Sequence, residues 1–171
     1  MDKFEIKSSC HTFSGELKVP ADKSIAHRAL LIASLNKEMT KITNLAFSED
    51  VRTISNDIQS TIKCLADIGV QFAEIKGNIF VRGRGIKDFI QSEGILDCGN
   101  SGTTARLIMG LLSGQRFESK LNGDNSLKNR PMERVIEPLS EMGANISSEN
   151  NQLPITISPG NLKGGNFDLN L

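Results

Sequence analysis

Leu65-Ala66-Asp67-Ile68-Gly69-Val70 and Leu139-Ser140-Glu141-Met142-Gly143-Ala144 carry one pattern twice, 74 positions apart, 139 against 65. A repeat constrains the fold more than any single motif does, because each copy is a supersecondary unit whose apolar face only a neighbour can cover. After each copy comes a pair of short strand-like runs, Val70 to Ile75 with Ile79 to Arg82, and Ala144 to Ser147 with Pro154 to Ser158. Each pair closes on a glycine, Gly85 or Gly160. Before each copy stand a helix, a strand and a second helix.

The first helix of unit one, Lys23 to Leu35, places Ile25, Ala29, Ile32 and Ala33 on one apolar face. Its counterpart, Thr103 to Leu112, repeats this with Thr104, Leu107, Ile108, Leu111 and Leu112. The second helix of unit one is expected to open at Ser48 as N-cap, with Glu49 and Asp50 in the first turn, and to turn Val51, Ile54, Ile58, Ile62 and Leu65 inward before stopping at Gly69. Its counterpart is expected to start with Pro131 at the first helical position and to stop at Gly143, with Pro138 kinking or loosening it.

The chain is therefore α/β, more closely α+β, with two βαβαββ units over about 21–92 and 93–160. Residues 1–20, through Phe4, Ile6, Phe13, Leu17 and Val19, suggest opening strands. Residues 161–171, with Gly164-Gly165 and Phe167-Asp168-Leu169, look like the start of a third unit. Two units and a stub leave outer helix faces bare, so a truncated piece of a larger protein is expected.

Composition narrows the function. With 171 residues, 20 basic and 20 acidic side chains and a pI near 6.7, the chain has no excess basic field for a duplex or an anionic membrane. All its aromatic residues are Phe, which supplies few stacking platforms for nucleic acid. A small-molecule partner is expected, with neither nucleic acid nor membrane. No apolar run approaches the roughly 18 residues that cross a bilayer, and Met1 to Cys10 lacks a signal-peptide layout, so the location expected is cytoplasmic. Cys10, Cys64 and Cys98 fit neither a disulfide framework nor a zinc site and are read as reduced, structural thiols.

Three segments concentrate polar groups at turn-to-helix junctions, where unpaired N–H groups and the helix dipole collect anions. The first is Pro20-Ala21-Asp22-Lys23-Ser24-Ile25-Ala26-His27-Arg28, with Lys23, Ser24 and Arg28 near one face. The same residues also read as solvated cations around a plain Ser24 N-cap. His27 points about 100° away from Arg28 and is read as structural. The second is Asp97-Cys98-Gly99-Asn100-Ser101-Gly102-Thr103-Thr104-Ala105-Arg106, whose glycines allow close backbone approach to a phosphate or carboxylate. It matches neither the P-loop nor the dinucleotide fingerprint, and a capped helix after a tight turn is the competing reading. The third is Gly123-Asp124-Asn125-Ser126-Leu127-Lys128-Asn129-Arg130-Pro131-Met132, where Arg130 can grip a phosphate bidentately. Equivalent ends of packed repeats fall on one rim, so Lys23, Arg28, Arg130 and the Asn100 to Thr103 loop are expected to converge on one doubly anionic ligand.

At these three segments, and in the same order along essentially the whole chain, the sequence resembles the 5-enolpyruvylshikimate-3-phosphate synthase (3-phosphoshikimate 1-carboxyvinyltransferase) family. Lys23-Ser24-Ile25-Ala26-His27-Arg28-Ala29-Leu30, Gly99 through Leu107, and Gly123-Asp124-Asn125-Ser126 through Arg130-Pro131-Met132 carry the resemblance. It implies the enolpyruvyl transferase fold, an inside-out α/β barrel of two domains, only partly present here. On that basis 1–20 would belong to the domain completed by the missing C-terminal half, and 21–171 to the second domain.

The resemblance further implies transfer of the enolpyruvyl group from phosphoenolpyruvate to the 5-hydroxyl of shikimate 3-phosphate, releasing phosphate, in chorismate and aromatic amino acid biosynthesis. No metal or organic cofactor is implied, and the full-length enzyme is expected to be a monomer. Lys23, the one catalytic assignment, would contact both substrates. Ser24 and Arg28 would hold shikimate 3-phosphate. Asn100 and Gly102 would line the phosphoenolpyruvate subsite, Arg130 would bind its phosphate, and Thr103 would support the loop. The carboxylates for proton transfer would lie in the half missing here, so the chain alone is expected to be inactive. Gly102 carries no methyl to crowd the phosphonate of glyphosate, and Leu107 stands where many sensitive members have Pro. Two alternatives are a UDP-N-acetylglucosamine enolpyruvyl transferase, disfavoured by Ser24 after Lys23 and by the lack of Cys from Leu121 to Arg130, and a non-catalytic anion-binding module.

Overall fold

The computed structural model describes residues 21–45 and 55–165. Readings placed on Phe4 to Val19, Ser48 to Ile54 and Phe167 to Leu169 lie outside them. The first unit comprises α1 (Lys23–Ser34), β1 (Met39–Ile42), α2 (Asn56–Asp67), β2 (Gln71–Ile75) and β3 (Asn78–Arg82). The second comprises β4 (Leu96–Asp97), α3 (Gly102–Ser113), β5 (Ser119–Asn122), α4 (Asn125–Lys128), α5 (Glu133–Glu141), β6 (Asn145–Glu149) and β7 (Gln152–Ser158).

The repeat is visible in the strand order. The sheets run β1-β3-β2 and β4-β5-β7-β6, so the last hairpin of each unit places its second strand in the middle, beside the strand that follows the unit's first helix. Among the described strands only β4 and β5 are parallel; the other pairs are antiparallel. Along the central strands, Ile79 and Val81 of β3 and Leu153, Ile155 and Ile157 of β7 are buried at every second position. One face of each sheet thus lies on the helices. Helix α3 is wrapped by α1, α2, α5 and the strands β5 and β7, which buries Ala105, Ile108, Met109 and Leu112.

The two repeated glycines end their helices in the same way. Gly69 has φ +99 and Gly143 φ +96. After α2, Gly69 N donates to Ala66 O at 2.8 Å and Val70 N to Leu65 O at 3.0 Å; after α5, Gly143 N donates to Ser140 O and Ala144 N to Leu139 O, both at 2.9 Å. This is the Schellman arrangement, which needs a left-handed residue and satisfies carbonyls the helix end would orphan. The sites differ in what lies beyond. A Cβ on Gly69 would sit 3.1 Å from the Ile90 side chain, whereas one on Gly143 would sit 2.5 Å from the backbone oxygen of Asn161. Gly69→Ala therefore loses about 1–3 kcal/mol to backbone strain, and Gly143→Ala loses that plus a clash no rotamer relieves. Urea denaturation should show at least about twice the loss for Gly143→Ala, and equal losses would refute this assignment of the cost.

Two helix readings are corrected. In α1 the buried stripe is Ala26, Leu30 and Ala33 with the polar His27 and Ser34, while Ile25 and Ile32 are 68% and 65% exposed. The expected face is thus rotated by about one residue, because small Ala26 and Ala33 let α1 come close to α2 and α3 and His27 finds a partner there. Helix α2 is described over Asn56–Asp67, with Ser55 at its N-cap position in extended backbone (ψ 147) and the Ser55 carbonyl accepting from Gln59 N at 3.0 Å; the expected opening from Ser48 to Ile54 lies outside the described residues. Helix α5 starts at Glu133, not Pro131, because Met132 is fully buried and its N–H donates across to Asn151 O at 2.8 Å. Pro138 lies within α5 without ending it. The expected Thr103 to Leu112 helix is present as α3, one residue longer at each end.

Candidate anion-binding site

The N-terminus of α3 is built by a tight turn. Gly99 adopts φ +56, and its N–H donates to Asp97 Oδ1 at 2.9 Å. Ser101 then caps α3, its Oγ accepting from Thr104 N at 3.1 Å. Between them, the Asn100 amide is held on both sides: Arg130 Nη2 donates to its Oδ1 at 2.9 Å, and its Nδ2 donates to Asp124 Oδ2 at 2.7 Å. The other Asp124 oxygen caps α4 by accepting from Leu127 N at 2.8 Å. The hydrogen bond from Asn100, then that from Leu127 N, hold the Asp124 carboxyl below its ordinary range.

Gly102 opens α3 between two guanidinium groups. A Cβ there would lie 2.7 Å from Arg106 Nη1 and 3.6 Å from Arg130 Nη1. Arg106 is fixed by donating from Nη2 to Pro131 O at 3.0 Å. Two cations and a helix N-terminus thus face one small residue, an arrangement suited to a phosphate or carboxylate. Thr103 is half-buried in this turn, and the hydroxyls that bond inward are those of Ser101 and Thr104.

At the start of α1, Asp22 is the N-cap, its Oδ1 accepting from Ile25 N at 2.8 Å. The reading of Ser24 as a plain N-cap is corrected by this, since Asp22 satisfies that donor and leaves the Ser24 hydroxyl for another partner. Lys23, Ser24 and Arg28 are all exposed. Lys23 Nζ pairs with Asp57 Oδ2 of α2 at 3.3 Å, and Arg28 Nη1 donates to Ser24 O at 3.0 Å.

His27 faces inward, 2% exposed, with Nδ1 2.6 Å from Thr61 Oγ1. Burial lowers its pKa, opposed by Asp57 and reinforced by Lys23 and Arg28. Thr61 Oγ1 lies 2.6 Å from Thr104 Oγ1, so the first turns of α1 and α3 meet through α2. The structure therefore joins Asn100 and Arg130 by a hydrogen bond beside Gly102, and ties the Lys23, Ser24 and Arg28 turn to this end of α3 through His27. Cys64 and Cys98 are buried free thiols, and hydrogen bonding from Cys64, then burial, pushes the Cys98 thiol far above its ordinary value.

Sequence reasoning assigns no part in the site to Arg106, Asp57, Asp124 or Thr61, and places Thr104 only on the inward face of its helix. Arg106 is within its reach, since positions four apart on a helix share a face and Arg106 follows Gly102 by four. Asp57 and Thr61 carry no comparable signal, because their partners are 34 residues distant in sequence.

This architecture recurs in solved structures. An EPSP synthase of Acinetobacter baumannii superposes with a TM-score of 0.82 at 35% identity, over 92% of this chain and 35% of that one. The family model described as EPSP synthase (3-phosphoshikimate 1-carboxyvinyltransferase) matches residues 8–171. The chain belongs to the EPSP synthase family. Among curated members, the 3-phosphoshikimate 1-carboxyvinyltransferase of Thermoanaerobacter sp. (strain X514) is 49% identical over 152 residues, 88% of this chain and 34% of the relative. That of Ruthia magnifica subsp. Calyptogena magnifica is 44% identical over 170 residues, 99% of this chain and 37% of the relative. The chain thus spans about a third of the length of the EPSP synthases it matches. No helix among the described residues is long and apolar enough to cross a membrane.

Proposed function

We propose that this chain supplies one substrate-binding wall of a 3-phosphoshikimate 1-carboxyvinyltransferase, which moves the enolpyruvyl group of phosphoenolpyruvate onto the 5-hydroxyl of shikimate 3-phosphate and releases phosphate. Residues 1–20 would pair with the remainder of the protein, and 21–171 would form most of the second domain. The observation that carries the reading is the Asn100 clamp, which holds the Arg130 guanidinium beside Gly102 at the α3 N-terminus. A carboxylate and phosphate on one small molecule need such a preorganised set of donors.

Lys23 would stand between the two substrates and neutralise charge on both. Ser24 and Arg28 would bind shikimate 3-phosphate; Asn100, Gly102 and Arg130 would bind phosphoenolpyruvate, with Thr103 in support. Addition removes the hydroxyl proton as the new C–O bond forms and places a proton on the methylene carbon; elimination takes a proton from the resulting methyl group as the C–O bond to phosphate breaks. The groups for those transfers belong to the rest of the enzyme, and this chain contributes positioning and charge neutralisation without metal or organic cofactor. Small soluble substrates suit a cytoplasmic, monomeric enzyme with no nucleic-acid or membrane partner.

Titration of the 15N-labelled chain with inorganic phosphate tests the anion site. The Gly102 and Thr103 amides should shift with a dissociation constant near millimolar, and Arg130→Ala should weaken it about tenfold, the loss of one charge-assisted contact. Shifts elsewhere with these amides unmoved would overturn the reading.

A further inference from the structure

We propose that His27, Thr61, Thr104 and Ser101 form a proton-ordered chain that positions the α3 N-terminus and holds His27 as its Nδ1–H tautomer. The direction follows from the Ser101 end. Ser101 Oγ accepts from Thr104 N at 3.1 Å, as a cap must, and also from Thr104 Oγ1 at 2.8 Å. With its proton on Ser101, Thr104 Oγ1 is the acceptor of its 2.6 Å contact with Thr61, so the Thr61 hydroxyl donates there. Thr61 Oγ1 then has no proton left for the imidazole, and its 2.6 Å contact with His27 Nδ1 requires an N–H on that nitrogen.

A competing acceptor exists, the backbone oxygen of Asp57, but it lies 3.4 Å from Thr104 Oγ1 and 3.5 Å from Thr61 Oγ1. Bonds of 2.6 and 2.8 Å win over contacts at the edge of hydrogen-bonding range. The chain crosses three helices. His27 lies on α1 beside Arg28, Thr61 on α2 one turn after Asp57, and Ser101 caps α3 between Asn100 and Gly102. All four members are buried, so an unmade link leaves a polar group without water to replace it. The cap sits next to the two residues that face the anion, and its orientation is set from α1. These are positioning residues; none is placed against a substrate. The consequence for anion affinity rests on the function proposed above, whereas the proton order does not.

Two measurements on the 171-residue chain decide the matter. Long-range 1H–15N correlation of the imidazole at neutral pH should show His27 protonated at Nδ1, and an Nε2–H pattern overturns the proton order. Amide exchange should show Thr104 protection falling about five- to tenfold in Thr61→Val, the effect of a weakened cap, with β5 unchanged and Thr61→Ser close to the parent. Unchanged Thr104 protection in Thr61→Val overturns the positioning role. If Thr61→Val does not fold, Thr61→Ser replaces it: retention of the Nδ1–H pattern supports the chain, and loss of it in a folded Thr61→Ser overturns it. Phosphate titration separates the two proposals. A parent chain with the expected tautomer and exchange but no phosphate response keeps this inference and removes the anion site, whereas a phosphate affinity at Gly102 unaltered by Thr61→Val shows that the chain does not position the site.

Discussion

The 171-residue chain alone is expected to release no phosphate from phosphoenolpyruvate in the presence of shikimate 3-phosphate, and to bind shikimate 3-phosphate with a dissociation constant near millimolar. Lys23, Ser24 and Arg28, the proposed contacts to that ligand, are all exposed, and charge contacts there would be weakened by water. Tight binding in such an enzyme needs a second wall that excludes solvent and strengthens every contact. A millimolar constant corresponds to about 4 kcal/mol, the amount a few screened charge contacts supply after the cost of association. Calorimetric titration measures the affinity and phosphate release measures turnover. Micromolar binding, or any turnover above background, would mean that the site is complete in this third of the family length.

In an enzyme joining this chain to the rest of the family length, Lys23→Met lowers kcat/KM by about 10² to 10⁴, the equivalent of two charge-assisted contacts of about 1.5–3 kcal/mol each. Lys128→Met lowers it less than about threefold. The structure distinguishes the two lysines by what surrounds them. The Lys23 ammonium pairs with Asp57 at 3.3 Å, and Lys23 lies one helical turn before His27, which begins the buried chain. Lys128 sits in the last turn of α4, where its charge complements the helix C-terminus. Steady-state kinetics giving comparable losses would remove Lys23 from its assigned place between the substrates.

Much of the site is legible in the sequence because its residues cluster in three short segments. Asn100, Gly102 and Arg130 read there as partners of one ligand, and the fold places them side by side: Arg130 donates to Asn100 at 2.9 Å, and its Nη1 lies 3.6 Å from where a Gly102 Cβ would be. The role of Asp124 is not legible. Its use as an α4 cap follows from local sequence, but its grip on Asn100 spans 24 residues and has no periodic signature. Ser24 misleads for a similar reason. Asp22 and Ser24 both suit an N-cap, and the choice depends on which backbone turns extended.

The two-unit architecture and the points where its helices stop follow from the amino-acid order alone. The Schellman glycines Gly69 and Gly143 act through bonds that close within one helical turn, and β3 and β7 carry their two-residue period within one strand. Such signals lie wholly within a short window, so they survive without knowledge of the partner. Packing, and nothing local, set which side of α1 turns inward. Ile25 and Ile32 outweigh Ala26 and Ala33 in apolar area, yet the small residues are the buried ones, because the backbone approach they allow brings His27 within 2.6 Å of Thr61. Packing also delays α5 until Met132 has reached Asn151. Each of these outcomes depends on pairs far apart in the chain, and their energies exist only once the helices are packed.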